Sequence, residues 1–241
     1  MKIVSLVPSI TKTLFDLGVD ENKIVGRTKF CIHPKEKVKN IAIVGGTKNL
    51  NIEKIKKLNP DLILSNKEEN EKSQIEELMK HFKVYVSEVS TLEENDIFLQ
   101  NIGKLLSKEK EAEEISLKIG SIFQSIPPIP VKKKAAYLIW RNPYMSVGND
   151  TFIHHILEKT GFENIFKSQT RYPTISIENL EEAEYILLSS EPYPFKEKHF
   201  EELYKVLPNA QIKIVDGEAF SWFGSHLMHC KNYFDKLITL L

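Results

Sequence analysis

Two cysteines in 241 residues, Cys31 and Cys230, are too few for a disulfide scaffold, so both thiols are expected free and buried. An excess of charge of either sign is missing as well. The 33 basic side chains balance 33 acidic ones, which leaves no global field to attract nucleic acid or an anionic membrane. No cluster of Lys and Arg interleaved with aromatics appears, and no nucleic-acid partner is expected. No apolar run approaches the roughly 20 residues of a membrane span, so no membrane insertion is expected. Met1-Lys2 leads directly into the apolar Ile3–Val7, with no hydrophobic leader, small-residue cleavage site or lipobox cysteine before it. The sequence as it stands reads as cytoplasmic. It would be periplasmic or lipid-anchored had a signal peptide been removed.

Catalytic signatures are also missing. No nucleophile elbow, phosphate loop or HExxH helix occurs, which argues against an enzyme. Cys31 and His33 lie two apart and His226 and His229 within one turn, but no second pair completes the four ligands of a structural zinc site. Direct metal ligation is not expected. His154 and His155 read as one surface and one packed histidine.

What the chain does have is a repeat. Residues 51–65 (NIEKIKKLNPDLILS) are echoed by 176–189 (SIENLEEAEYILLS). Each has a capping residue, Ile, an amphipathic helix and an apolar strand ending in Ser, the second being shorter in the turn. The echo continues from Ile75-Glu76-Glu77-Leu78 to a strand at Val84–Val86, and from Phe200-Glu201-Glu202-Leu203 to one at Ile212–Val215. A spacing of about 125 residues is far beyond the roughly 20–50 of a solenoid unit. It predicts two similar lobes, and two lobes make a cleft suited to a small ligand.

Strands alternate with helices, which predicts a mainly parallel, doubly covered sheet in each lobe. In the first lobe a strand at Ile3–Val7 precedes a helix capped by Ser9 or Thr11 and ending at Gly18. Further strands are expected at Ile24–Gly26, Ile41–Val44 and Leu62–Leu64, with a turn at Gly45-Gly46. From Leu92 to Ile126 the strand signal vanishes. Ile115, Ile119, Ile122, Phe123 and Ile126 form a helical stripe that stops at Pro127-Pro128, with Pro130 beyond. A helix over 108–126 would be roughly 27 Å long. The second lobe has a strand at Ala135–Trp140, a turn at Asn142-Pro143, a strand at Tyr144–Val147, a helix capped by Asn149 or Asp150, and a final helix from Ser225. The expected division is 1–91 for the first α/β lobe, 92–130 for a helical linker and 131–241 for the second lobe.

Several stretches carry a family resemblance. Ile-Val-Ser-Leu-Val-Pro-Ser-Ile-Thr (3–11), Val-Gly-Gly-Thr (44–47), the 51–64 unit, Ser-Val-Gly-Asn-Asp-Thr-Phe-Ile (146–153), Gly-Phe-Glu-Asn-Ile-Phe (161–166) and Tyr-Pro-Thr-Ile-Ser-Ile-Glu (172–178) resemble the class III solute-binding proteins of ABC importers. These are the receptors for cobalamin, ferric siderophores and haem. Phe-Cys-Ile-His-Pro (30–34), Gly-Gly-Thr-Lys-Asn (45–49), Ser-Asn-Lys-Glu-Glu-Asn (65–70), Ile-Trp-Arg-Asn-Pro-Tyr-Met (139–145), Ser-Ser-Glu-Pro-Tyr-Pro-Phe (189–195) and Asp-Gly-Glu-Ala-Phe-Ser-Trp-Phe-Gly-Ser (216–225) are similar to its signal-less members, often called cobalamin-binding or helical-backbone metal receptors. The resemblance implies two Rossmann-like α/β lobes joined by a single long backbone helix, a shallow pre-formed cleft and modest closure. It implies a monomer holding a corrinoid, haem or ferric-siderophore-like chelate, with an ABC permease as partner. Phe30, Thr47, Asn66 and Met145 hold the positions of the aromatic pocket of cobalamin receptors, and only Phe30 is aromatic. The resemblance also implies one docking glutamate per lobe, Glu191 in the second and one of Glu68, Glu69 or Glu71 in the first. Lys72 takes the best-matching first-lobe position, with Glu71 beside it.

Ligands of parallel α/β sheets sit outside the carboxyl ends of the strands. This rule selects Pro8, Ser9, Phe30, His33, Thr47, Lys48, Asn66, Lys67, Trp140, Arg141, Tyr144, Met145, Tyr193, Glu218 and Trp222. Trp140, Tyr144 and Trp222 would offer faces for stacking a macrocycle, and Arg141 a fork for a carboxylate or phosphate. Two other functions fit the same lobes. One is a metal chelatase, with His33 and Glu218 as the proton-handling pair. The other is a cytoplasmic sensing or scavenging module that has lost transport.

Overall fold

The computed structural model describes residues 1–127 and 129–239. The chain divides into two compact units, each of which is α/β. The first comprises Met1–Val89, Glu93–Ile119 and Phe223–His226, and the second Ser90–Leu92, Gly120–Trp222 and Leu227–Leu241. The 92–130 stretch set apart in the sequence is thereby shared between the two units.

In the first unit the chain runs β1 (Ile3–Ser5), α1 (Pro8–Asp16), β2 (Ile24–Arg27), α2 (Lys35–Val38), β3 (Ala42–Ile43), α3 (Ile52–Leu58), β4 (Leu62–Asn66), α4 (Lys72–Met79) and β5 (Val84–Ser87). The five strands form a parallel sheet in the order β3-β2-β1-β4-β5. β1 and β4 are buried along their whole length. Val4, Leu6, Val44, Ile55, Ile63, Ile75 and Leu78 close the core on one face, each buried aliphatic side chain contributing about 1.5–3 kcal/mol. Ser9 and Thr11 do not cap α1. Pro8 occupies its first turn after Val7, where a missing N–H costs nothing. Thr11 instead turns its hydroxyl back to Ser5 Oγ (2.8 Å) and the Val7 carbonyl (3.0 Å). The strand expected at Ile41–Val44 shrinks to its middle pair.

Two helices follow, α5 (Leu92–Leu106) and α6 (Glu109–Gln124), broken at Ser107, whose φ is +53°. The helix expected over 108–126 is thus α6, a residue late and two short. Ile115, Ile119 and Ile122 of its stripe are buried. The stop expected at Pro127-Pro128 cannot be described in full, because Pro128 lies outside the described residues.

The second unit contains β6 (Lys133–Leu138), β7 (Tyr144–Met145), α7 (Phe152–Lys159), β8 (Phe162–Asn164), β9 (Thr174–Ile175), β10 (Tyr185–Ser189), α8 (Phe200–Tyr204), β11 (Gln211–Val215), α9 (Gly217–Ser221) and α10 (Lys231–Ile238). Its main sheet is parallel, in the order β11-β10-β6-β8. β7 and β9 pair antiparallel as a separate ribbon. The repeat is therefore topological: β4 lies between β1 and β5, as β10 lies between β6 and β11. The second copy has no α-helix in its first half. Ile177–Leu180 is one 3₁₀ turn, because the shorter connection leaves too few residues for two α-turns. Asn149 and Asp150 give way to Thr151 as the cap of α7, its Oγ1 accepting from His154 N at 3.2 Å. Strand β6 ends at Leu138, so Trp140 lies beyond it, bridged to Met145. The final helix expected from Ser225 is a 3₁₀ turn (Gly224–His229) followed by α10.

The four-residue return to the first unit is tied by polar contacts. Gly224 N donates to Asn95 Oδ1 (2.5 Å), Ser225 N to Thr13 Oγ1 (3.0 Å) and Ser225 Oγ to Asp16 Oδ2 (2.6 Å). Gly224 has φ +85°, and a Cβ there would stand 2.3 Å from Thr13 Oγ1, so no other residue fits without moving α1. Phe223 adds an edge-on ring contact with Phe98 of α5, 5.1 Å between centroids.

Candidate functional site

In the first unit the loops following β1, β3 and β4 are drawn together by one carboxamide. Asn70 Nδ2 donates to the Leu6 carbonyl (3.3 Å) and the Thr47 carbonyl (3.1 Å). Asn66 secures the last of these loops. Its Nδ2 donates to the Ser87 carbonyl (3.1 Å) and Ser87 Oγ (3.2 Å), and its Oδ1 accepts from the amides of Glu68 (2.9 Å) and Glu69 (3.1 Å). Every polar valence of Asn66 is used and the residue is buried, so it builds the rim and has nothing left for a solute. Ser9 and Thr47 are buried as well.

The groups facing outward are different ones. Phe30 is 50% exposed, with Lys29 Nζ 4.9 Å from its ring centroid, a cation–π contact. Lys48 Nζ donates to the Glu68 carbonyl at 2.5 Å and Lys67 pairs with Glu88 at 2.5 Å. Pro8 and His33 are half-buried. Below Phe30, Cys31 is buried with Sγ 3.1 Å from Thr28 Oγ1, and burial pushes its thiol up. The reactive thiolate is therefore suppressed. Glu71 is exposed immediately before α4, where Lys72 pairs with Glu76.

The loops after β6, β10 and β11 make a second, more aromatic rim in the other unit. Trp140 is 40% exposed and meets the Tyr193 ring edge-on at 5.7 Å. Tyr193 in turn contacts Phe195 (4.7 Å) and His199 (5.6 Å). His199 Nδ1 accepts from Lys196 N at 2.9 Å. Burial and then the Arg141 charge depress its pKa, which favours the neutral ring. Arg141 does not stand open. Its Nε and Nη2 both reach Glu202 Oε2, at 3.1 and 2.5 Å. Tyr144 is buried, and Met145 is half-buried where its N–H returns to the Trp140 carbonyl (3.2 Å).

Glu191 and Trp222 form a unit of their own. The Trp222 indole donates to Glu191 Oε1 at 2.9 Å and Ser221 Oγ to the same oxygen at 3.1 Å. Burial first, and then the neighbouring Glu218, push the Glu191 carboxyl up, against the pull of those two donors. Gly217 gives this carboxylate its room, since a Cβ there would stand 2.5 Å from Glu191 Cγ and 2.6 Å from Ser189 Oγ. Trp222 is only 6% exposed. The stacking face expected of it is used up in packing, and Tyr144 is buried in the same way. Trp140 is left as the exposed ring of the three.

The structure thus leaves Pro8, Phe30, His33, Lys48 and Lys67 exposed or half-buried on one rim, and Trp140, Arg141, Met145 and Tyr193 on the other, with Glu218 half-buried in α9. Sequence reading missed Glu202 and His199, and held Phe195 and Ser221 only within the 189–195 and 216–225 stretches. Glu202 lay inside the recognised Phe-Glu-Glu-Leu motif, but a partner 61 residues away leaves no local mark. Among the described residues no group of three or more His, Cys, Asp or Glu side chains is placed to hold a metal ion, and no helix is long and apolar enough to cross a membrane.

Known proteins of similar sequence and fold extend over both units. An uncharacterized ABC transporter substrate-binding lipoprotein of Bacillus subtilis is 31% identical over 182 residues, 70% of this chain and 56% of the relative. The chain therefore spans little more than half that relative's length. A vitamin B12-binding protein of Vibrio vulnificus is 24% identical over 74% of this chain and 67% of its own. Among solved structures, one from Staphylococcus epidermidis, described as a possible iron-binding, periplasmic solute-binding protein, has TM-score 0.79 at 25% identity, covering 98% of each chain. The periplasmic vitamin B12-binding protein of Vibrio cholerae has TM-score 0.83 at 18% identity, over 99% of this chain and 96% of its own, a likeness of fold alone. The family description "periplasmic binding protein" matches residues 3–202, and the chain belongs to that family.

Proposed function

We propose that this chain is the solute-binding protein of an ABC-type importer and that its solute is a bulky, largely planar molecule of the tetrapyrrole class. The observation that carries the reading is an exposed aromatic ring at the carboxyl-edge rim of each unit, Phe30 in one and Trp140 in the other, in a chain whose family is one of binding proteins. Aromatic faces supply large contact area at low entropic cost. Relatives named for vitamin B12 and structural neighbours named for haem support the class of solute. On this reading the chain meets a permease, and Glu71, exposed before α4, suits docking better than Glu191, whose carboxylate is engaged by Trp222 and Ser221. It would work on the outer side of the cell membrane, where its lipoprotein and periplasmic relatives are named.

A chelatase reading has less support: every named relative and neighbour is a binding protein. The test is direct. Cyanocobalamin and haemin are titrated separately by calorimetry, alongside absorbance and mass spectrometry of whatever purifies with the protein. Binding of at least one at micromolar concentration is expected. No heat and no spectral shift for either at tens of micromolar would remove the tetrapyrrole class.

A further inference from the structure

We propose that Glu202 is a charge filter, which by occupying Arg141 keeps carboxylate-bearing solutes off the Trp140 face and leaves it to ligands with an uncharged, amide-bearing periphery. The inference rests on the solute-binding reading above and refines which solute that site takes.

Arg141 follows Trp140 directly at the end of β6, where a bare guanidinium would be an evident carboxylate receptor. In this chain the receptor is already filled. Glu202, from α8, takes two of its donors on a single oxygen, at 2.5 and 3.1 Å. The side chains are 27% and 38% exposed, so the pair lies at the rim without being fully in water. An incoming carboxylate must break this contact and then sit beside the displaced Glu202, a like charge in a partly desolvated place.

His199, beside Tyr193, is a poor substitute cation, because its burial lowers its pKa and favours the neutral ring. With Arg141 and Glu202 cancelling, the segments after β6, β10 and β11 carry Glu191, Glu197, Asp216 and Glu218 against Lys196 and Lys198. A solute bearing carboxylates, such as an iron porphyrin with its propionates, meets a net acidic rim. A corrinoid edged by carboxamides does not. The amide periphery has donors for the free lone pairs of Glu202 and can bind without separating the ion pair.

The experiment compares the whole wild-type chain with E202Q and with the double variant R141A/E202Q. Haemin and cyanocobalamin are titrated by calorimetry. In parallel, benzoate and the isosteric benzamide are titrated against the Trp140 indole signal by NMR. With Glu202→Gln, haemin affinity should rise by about tenfold or more, the worth of a released charged hydrogen bond, while cyanocobalamin changes by no more than about threefold. Benzoate, but not benzamide, should shift the Trp140 indole in the variant and not in the wild type. R141A/E202Q should lose both gains. An unchanged haemin-to-cobalamin ratio in E202Q, or a gain that survives in the double variant, overturns the filter. If neither macrocycle binds any of the three proteins, the tetrapyrrole reading fails separately. The benzoate arm then decides the filter alone, a shift confined to E202Q sustaining it and equal responses in all three overturning it.

Discussion

The two carboxyl-edge rims grow from the same strand pattern, yet they are made of different materials. In the first unit, carboxamides and backbone amides do the building. Asn66 and Asn70 spend every donor and acceptor shown for them on neighbouring loops. In the second, rings and charges do it: Trp140 on Tyr193, Arg141 on Glu202, and Trp222 on Glu191. Duplication of a sheet therefore fixed where a site stands and not what it is made of. A satisfied amide network makes a stiff rim. In a ring-and-charge rim the character of the surface depends on which partner each charge holds, as Arg141 holds Glu202.

Three changes would sharpen or break that contrast. The largest effect belongs to the amide rim. Asn66→Ala removes partners from the Glu68 and Glu69 amides, both in part-buried bonds, and from buried Ser87, and should lower stability by about 3 kcal/mol. Urea denaturation measures this, and a loss under about 1 kcal/mol would mean that the loop does not depend on its amide. Next comes the aromatic rim. Trp140→Ala should weaken macrocycle binding by about 1–2 kcal/mol with little change in the denaturation midpoint. Calorimetry of both proteins with the bound solute would show it, and an unfolded variant would place Trp140 in the core after all.

The smallest effect concerns acid. The Glu191 carboxyl has its pKa raised above the ordinary 4.5, chiefly by burial and then by Glu218. The folded state therefore holds this proton more tightly than the unfolded chain. The group's favourable contribution is complete below about pH 4.5 and is lost as pH climbs through the raised value. Glu191→Gln keeps the acceptor for the Trp222 indole and removes the titration. Thermal midpoints of the two proteins should therefore draw apart as pH rises from about 4.5 toward neutrality, the wild type being the lower. Parallel curves would show a carboxyl indifferent to its burial.

Much of the scaffold was legible in the sequence for a simple reason. Alternating apolar runs, Asn51 ahead of α3, and Gly18 and Gly161 closing α1 and α7 with φ of +69° and +92° are all local signals, so the order of strands and the echo between the units came through. The site was less legible, because its facts are not local. Nothing in Asn-Lys-Glu-Glu-Asn distinguishes an amide that binds solute from one that ties a loop. Arg141 and Glu202 are 61 residues apart. Trp140, two residues past β6, and Trp222, at the close of α9, are the same residue type, and only packing decides that the second is buried at 6% and the first exposed at 40%. Chain length misled as well: the shorter connection of the second copy carries a single 3₁₀ turn where the first carries α3.

The return of Phe223–His226 to the first unit bears on how this protein can be handled as a gene. A fragment ending at Ile119 encodes most of that unit but omits the tetrapeptide whose amides meet Asn95 and Thr13 and whose Ser225 hydroxyl meets Asp16. Those acceptors would face an unfilled notch lined by Phe98, so the unit is not a separable cassette. Any swap of one half for that of a relative would have to carry this short downstream segment with it, or supply its own.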